Sequence, residues 1–422
     1  MLSLQEARRR IVAPLQLLET ERVNLREAVN RVLAGNVAAC VAHPQEDVSA
    51  MDGYAVRMVD TTHGPITLEI VAQSTAGHPA TRGIGSGEAA RIFTGAVIPP
   101  GADSVVLQED AVMGPHETVI VSHPTILGSN IRPAGSDFHV GDVLLRAGRR
   151  LSFRDIALAA AMNVPCLAVI RRPRVAVLST GDEVCLPGEN LGQGQLVDAN
   201  GFALSALITS YGGVPIDLGI ARDNRTSLRA QIRAARGADL LIISGGVSVG
   251  DHDLVRKCLR EAGMVLDFWK VAVRPGKPLL HGHLDGMPVI GVPGNPVSAM
   301  VSAILFVLPA LNTLLGLPVT TGMRRHSGVL NCNLPANDSR EDYLRAVCVC
   351  TGDNMIHVTP FSQQDSSMLS ILSAANCLAI RPPHAPPAYR GHAIEIIALE
   401  PCYGPSPLDG VTEQTPHHSG SI

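Results

Sequence analysis

Carboxylates and glycines recur together along the middle of this chain. Thr180-Gly181-Asp182-Glu183 closes one β-branched run, Arg222-Asp223 a second, and the stretch 244–253 (SGGVSVGDHD) a third. Pro275-Gly276-Lys277 and Pro293-Gly294-Asn295 follow two more. Gly-rich turns that lead into helices expose backbone N–H groups and suit phosphate or another oxyanion. Five carboxylates, Asp182, Glu183, Asp223, Asp251 and Asp253, would repel that anion unless a divalent cation lies between them. Mg²⁺ is held in this way, by a few carboxylates plus phosphate oxygens. The expected chemistry is a phosphorylated ligand and a hard cation in one place. For any one of these residues a cap or turn role is an even alternative. Repetition at successive strand ends favours a site.

These residues meet only if the elements between them form a sheet with parallel strands. Strands are predicted over 175–179, 214–219, 240–244, 268–273 and 289–292. Leu204, Leu207, Ile208 and Tyr211 lie at helical spacing, which predicts a helix from Asp198 or Asn200 to a stop at Gly212. Asp223 as N-cap opens a second helix through Leu228, Ile232 and Ala235, ending at Gly237. A third runs from about Asp253 with Leu254, Val255, Cys258 and Leu259 inward and Gly263 closing it. Right-handed crossovers make the strands run one way and gather their C-terminal turns along one edge. Open α/β sheets bind ligands at that edge. The uncharged run 297–317 is long enough to span a membrane. Ser298, Ser302, Pro309 and Asn312 interrupt it, and Asn295 as N-cap with Pro296 at the first turn starts it as a buried helix of the same domain.

The remainder of the chain is read more coarsely. Its 422 residues predict about three domains. With one Trp, five Tyr and seven Phe, the cores must be aliphatic. A net charge of −4 shows no basic excess and argues against nucleic acid as a partner. Nine scattered cysteines without a CxxC pair indicate reduced thiols, and MLSLQEARRRIV has no apolar signal core, so a cytoplasmic protein that crosses no membrane is expected. Leu4, Ala7, Ile11, Leu15 and Leu18 predict helix over 3–35, and 43–60 reads as a polar loop. The short β runs of 66–145 form an insertion, 151–162 returns to helix, and β runs resume after Leu317. The expected division is a helical linker (1–45 and 143–172), an inserted β domain (46–142), an α/β domain (173–318) and a C-terminal β-barrel (322–402). Residues 403–422 are expected to be a disordered tail, in which His417 and His418 suit a solvated role better than metal binding.

Several stretches carry a family resemblance over nearly the whole chain. SAMDGYAVR (49–57), RIFTGAVIPPGADSVV (91–106), RPAGSDFHVGD (132–142), LSTGDEV (178–184), SGGVSVGDHD (244–253), RPGKP (274–278) and GVPGNPVSA (291–299) stand in the order of the molybdopterin molybdenumtransferases, bacterial MoeA and the gephyrin E-domain. The resemblance implies four parts, a linker, a β domain, a molybdopterin-binding α/β domain and a C-terminal β-barrel, assembled as an elongated homodimer. It also implies insertion of molybdate into adenylylated molybdopterin with Mg²⁺-dependent release of AMP.

Residue by residue, the resemblance assigns catalytic positions to Asp52, Thr94, Glu183, Asp223, Asp253, Lys270, Arg274 and Lys277. Glu183, Asp223, Asp253 and Asp137 are the implied metal ligands, with Asp52, Thr94 and Asp137 reaching a site completed by the partner subunit. Gly181, Gly245, Gly246, Ser248, Gly250, Pro293, Gly294, Asn295 and Ser366 are the implied ligand-binding positions, and Arg345 or Arg340 matches a further basic one. Each has a plain alternative: Asp52 as a turn cap, Lys270 as an edge residue beside Trp269, Thr94 as an ordinary strand residue. Asp182 is read as a turn residue rather than a ligand. Two positions depart from the family. Arg274 replaces a usual Lys and offers a planar fork in place of a point charge. His252 replaces an aromatic residue and predicts a modest pH effect on ligand binding. The rival enzyme reading is adenylylation of molybdopterin, whose enzymes share the α/β domain alone and can also be partners. A rival of another class is a non-catalytic scaffold.

Overall fold

The computed structural model describes residues 1–246, 254–351 and 355–399. Its Cα framework divides into Glu21–Val169 and a larger unit that joins Met1–Thr20 to the chain from Ile170 onward.

The larger unit is built on a six-stranded sheet. In chain order the strands are β1 (Arg174–Thr180), β2 (Val214–Ala221), β3 (Leu240–Ser244), β4 (Val265–Lys270), β5 (Pro278–Leu284) and β6 (Met287–Val292). Their spatial order is β2-β1-β3-β6-β5-β4, and β2, β1, β3 and β6 are parallel. Side chains alternate between the two faces, as strand geometry requires. Val175, Val177, Leu240 and Ile242 pack under the helices Leu4–Val12, Asn200–Ser210 and the long helix starting at Pro296. Ala176, Leu178, Leu241 and Ile243 pack under Arg225–Ala234 and Leu254–Glu261 through Leu228, Ile232, Val255, Cys258 and Leu259. The apolar stretch Pro296–Leu314 is a core helix, with 89% of its most apolar window buried.

Two sequence expectations for this sheet are corrected. β5 was not foreseen and runs antiparallel to both β6 and β4, so the strands do not all run one way. Its apolar run is interrupted by His281, Gly282 and His283, yet the two-residue turn at Asp285-Gly286, both at positive φ, is a strong hairpin signal. The expected strand 268–273 ends at Lys270, and Val273–Arg274 pairs instead with Glu341–Asp342 of the C-terminal domain. The second helix is capped by Asn224, whose side chain accepts from the Ser227 amide, rather than by Asp223. Asp253, the expected start of the third helix, lies outside the described residues, as does the 403–422 tail with His417 and His418.

Five strands, Arg325–Leu330, Glu341–Cys350, Ile356–Pro360, Cys377–Arg381 and Ala393–Ala398, close into the expected barrel, with Cys377–Arg381 pairing back on Glu341–Cys350. Leu330, Ala346, Cys348, Val358, Cys377 and Ile396 fill it.

The smaller unit contains a six-stranded sheet in the order 104–107, 53–56, 88–92, 66–74, 118–121, 111–113. The loop expected over 43–60 therefore holds the strand Gly53–Val56, every residue of which is buried. A Cβ at Gly53 would lie 1.9 Å from the Val106 carbonyl oxygen, so a glycine is needed at this crossing. The linker is less helical than expected, although the helix expected over 151–162 is present at Phe153–Ala161. Helix in the first 35 residues stops at Val12, next to Pro14, and Thr20–Asn24 is a strand. Leu4, Ala7 and Ile11 pack into the core of the larger unit. One helix, Phe153–Ala161, opened by a Ser152–Asp155 capping box, packs on strands through Val23, Leu33, Leu145, Leu151 and Val169.

Candidate functional site

The strand order 2-1-3 places the reversal of connection between β1 and β3, where open α/β sheets form a crevice. A cavity of about 220 Å³ lies there. Ser179, Thr180 and Glu183 line it from the end of β1, Ser244 and Gly245 from β3, and Gly294 and Asn295 from the turn after β6. Asp198 and Asn200 close it from the start of helix Asn200–Ser210.

The floor is a hydrogen-bonded polar group. Ser179 Oγ donates to Asp198 Oδ2 at 2.6 Å, and the Gly201 amide donates to Asp198 Oδ1 at 3.0 Å. Asn200 Nδ2 donates to Ser244 Oγ and to the Gly294 carbonyl, both at 2.8 Å, tying β3 to the turn after β6. Buried polar groups need such partners. Gly245, Gly294 and Asn295 are expected positions, whereas Asp198 and Asn200 were expected only as a helix start and Ser179 and Ser244 only as strand or motif residues. Their signal is a polar residue ending each apolar strand. Gly181 sits at φ 142°, and a Cβ there would lie 2.5 Å from a Glu183 carboxylate oxygen. Gly246, at φ 62°, would drive a Cβ to 2.2 Å from Val255 Cγ2. Both glycines bring backbone close to the crevice. Pro293 is buried at the end of β6. Ser248, Gly250, Asp251, His252 and Asp253 lie outside the described residues.

Glu183 lines the cavity, and Asp182 and Asp223 stand beside Glu183. The Asp223 amide donates to Asp182 Oδ1 at 3.0 Å, so Asp182 holds the turn, as expected of it. Arg222 Nη1 donates to the carbonyls of Asp182 and Val184. Burial, then the nearby Asp182 and Glu183 charges, push the Asp223 carboxyl above its ordinary range. Among the described residues no three His, Cys, Asp or Glu side chains converge as a complete metal cage. A carboxyl crowded by its neighbours, as Asp223 is, suits Mg²⁺, which takes one or two protein carboxylates and completes its shell with phosphate and water.

A second group adjoins this one. Asn295 Nδ2 donates to Ser366 Oγ at 2.8 Å, and the Val297 amide, in the first turn of the long helix, donates to the Ser366 carbonyl. Arg345 is 1% exposed, and its Nη2 donates to the carbonyl of Asp365 at 3.0 Å. Its Nε has no hydrogen-bond partner among the described residues. Of the two arginines the sequence left open, Arg345 therefore stands beside Ser366, whereas Arg340 is paired with Asp338. Lys277 is exposed just before β5, and Lys270 ends β4 with Nζ 5.8 Å from the Trp269 ring centre. Arg274 was expected to face this edge with its charge available. Its guanidinium is instead engaged by Asp342, Asp338 and Asn337.

In the smaller unit Asp52 and Thr94 do come together. Asp52 Oδ1 accepts from the Thr94 amide at 2.7 Å and from Thr94 Oγ1 at 2.8 Å, which pulls its carboxyl below the ordinary range. Asp137 is exposed, its amide donating to the His43 carbonyl.

Three family models match in succession: the MoeA N-terminal region (domain I and II) over residues 2–163, the probable molybdopterin binding domain over 176–313, and the MoeA C-terminal region (domain IV) over 327–399. The molybdopterin molybdenumtransferase of Haemophilus influenzae is 36% identical over 382 residues, 90% of this chain and 94% of that one. The Nostoc enzyme of the same name is 38% identical over 378 residues, 86% and 85% of the two chains. A crystal structure of a molybdopterin biosynthesis MoeA protein from Pyrococcus horikoshii superposes with a TM-score of 0.80 at 29% identity, covering 95% of this chain and 99% of that one.

Proposed function

The chain belongs to the MoeA family of molybdopterin molybdenumtransferases, and we propose that it inserts molybdate into the dithiolene of adenylylated molybdopterin, releasing AMP and giving the molybdenum cofactor. One observation carries this reading. Asn295 lines the cavity that Glu183 also lines and bonds Ser366, so phosphate-type and oxyanion-type features share one edge of the fold.

In this account the turns at Gly181, Gly245 and Gly294 let backbone approach the phosphates, and Asn200 and Ser244 fix the shape of the crevice. Glu183 and Asp223 would hold Mg²⁺, which offsets phosphate charge and polarises the linkage to be cleaved. Arg345, a buried cation without an ion-pair partner among the described residues, and Lys277 would hold the tetrahedral molybdate. Asp52, Thr94 and Asp137 would complete the site from the second subunit of a homodimer. The protein would work in the cytoplasm, receiving its substrate from a molybdopterin adenylyltransferase.

The test separates insertion from the rival adenylylation. Purified chain with Mg²⁺, given adenylylated molybdopterin and molybdate, should release AMP and yield cofactor that reconstitutes an apo-molybdoenzyme. Consumption of ATP with molybdopterin, and no response to molybdate, would replace insertion by adenylylation. Binding of either compound without turnover would leave the scaffold reading.

A further inference from the structure

A cavity of about 460 Å³ lies at the mouth of the C-terminal barrel, where Arg325–Leu330, Ile356–Pro360 and Cys377–Arg381 end and Glu341–Cys350 begins. Leu334, Leu344, Pro360 and Phe361 give it apolar walls, and Arg381 lines it beside them. Small-molecule sites combine apolar walls with a few placed polar groups and occur in the mouths of barrels. Arg381 is 8% exposed. Its Nη2 donates to the carbonyls of Pro335 and Pro386. An arginine carries five N–H donors, so three remain, one on Nε and two on Nη1. Among the described residues these three have no protein partner, yet neither nitrogen is sealed from solvent-sized space. For a residue this buried, that space is the cavity it lines.

The charge of Arg381 is also unmatched. Arg274 pairs with Asp338 and Asp342, and Arg340 pairs with Asp338, so both neighbouring carboxylates are engaged by other guanidiniums. Burial pulls the Arg381 pKa below its ordinary value, and Asp342 acts on it only through space, offsetting part of that effect. A buried cation is ordinarily paired.

We propose that this cavity binds a small organic carboxylate, whose anionic group takes the free N–H groups of Arg381 and whose apolar body lies against Leu334, Leu344, Pro360 and Phe361. One unmatched guanidinium calls for one negative charge, and a charge-assisted hydrogen bond is the strong kind. An inorganic oxyanion would leave the apolar walls wet, and a neutral apolar molecule would leave the buried cation unmatched. None of these five residues is a position assigned to molybdate insertion, so the two readings stand or fall separately.

Isothermal titration calorimetry of the full-length chain tests this with 1-naphthoate, its neutral isostere 1-naphthamide, and inorganic phosphate. Naphthoate should saturate a single site, with the amide and phosphate at least about tenfold weaker. Arg381→Gln should weaken naphthoate by about tenfold or more. Arg381 also holds two carbonyls, so loss in that variant alone can report a folding defect. Ser362→Trp guards against this: Ser362 is an exposed residue of the cavity lining, and a bulky side chain there blocks the mouth while every hydrogen bond of Arg381 stays in place. It should weaken naphthoate about as much as Arg381→Gln does. No naphthoate binding by wild type, amide or phosphate binding as tight as naphthoate, or unchanged affinity in either variant would each overturn the proposal.

Discussion

Asp52 and Asp223 carry the same functional group in opposite electrostatic surroundings. Asp52, in the smaller unit, accepts two hydrogen bonds from Thr94 and is held as an anion below the ordinary carboxyl range. Asp223, at the sheet edge, is pushed above that range by burial and by Asp182 and Glu183. Donors stabilise a carboxylate without any counter-ion, whereas crowded carboxylates call for a cation. The cation is therefore expected at Glu183 and Asp223, with Asp52 serving as a fixed acceptor.

Substitution breaks or sharpens that contrast most directly. Asp223→Asn should lower AMP release roughly a hundredfold at limiting Mg²⁺ and recover partly when Mg²⁺ is raised, as removal of a charge from a preorganised site does. It should also raise the melting temperature without Mg²⁺, because the raised pKa means that ionised Asp223 opposes folding above that pKa. An unchanged Mg²⁺ requirement would move the cation elsewhere. Asp52→Asn should cost roughly tenfold in release while leaving the Mg²⁺ midpoint where it was. Thr94→Val, which removes only the hydroxyl donor, should cost less than Asp52→Asn, and the reverse ranking would make Thr94 a direct contact.

The smallest effect is a control away from the site. His281 is fully buried in β5, its Nδ1 hydrogen-bonded to the Val289 carbonyl at 3.1 Å, and burial lowers its pKa from 6.5 to about 4. The unfolded chain then binds more protons than the folded one between those values. Stability is complete above about pH 6.5 and falls as pH drops toward 4, with about 1 kcal/mol lost between pH 7 and 5.5. Urea unfolding across that range should show the loss in wild type and a flatter profile in His281→Asn. Equal slopes would place the proton elsewhere.

Much of the α/β sheet was legible because each apolar run ends in glycine or an acid. β5 was not, since His281, Gly282 and His283 interrupt its run, although Asp285-Gly286 marked its hairpin. Gly53–Val56 hid in polar flanks because four residues are too few to show a period. Helical spacing continued past Pro14, but the proline decided the boundary. At the site, motifs located Glu183, Asp223 and Asn295, and their spacing located the turns. Ser179 and Ser244 stand inside motifs that do not mark them, Asp198 and Asn200 belong to no motif, and the order of β1, β3 and β6 draws the four together. Arg274 reads as an available cation until its pairing across to Asp342 is seen, a contact spanning 68 residues.

The most direct measurement compares molybdate-dependent AMP release from adenylylated molybdopterin, with Mg²⁺, in wild type and in Glu183→Gln. The sheet-edge account predicts release by wild type and its loss in the variant, with the ligand still bound by both. Equal release by the two proteins would contradict it and place the chemistry away from this edge.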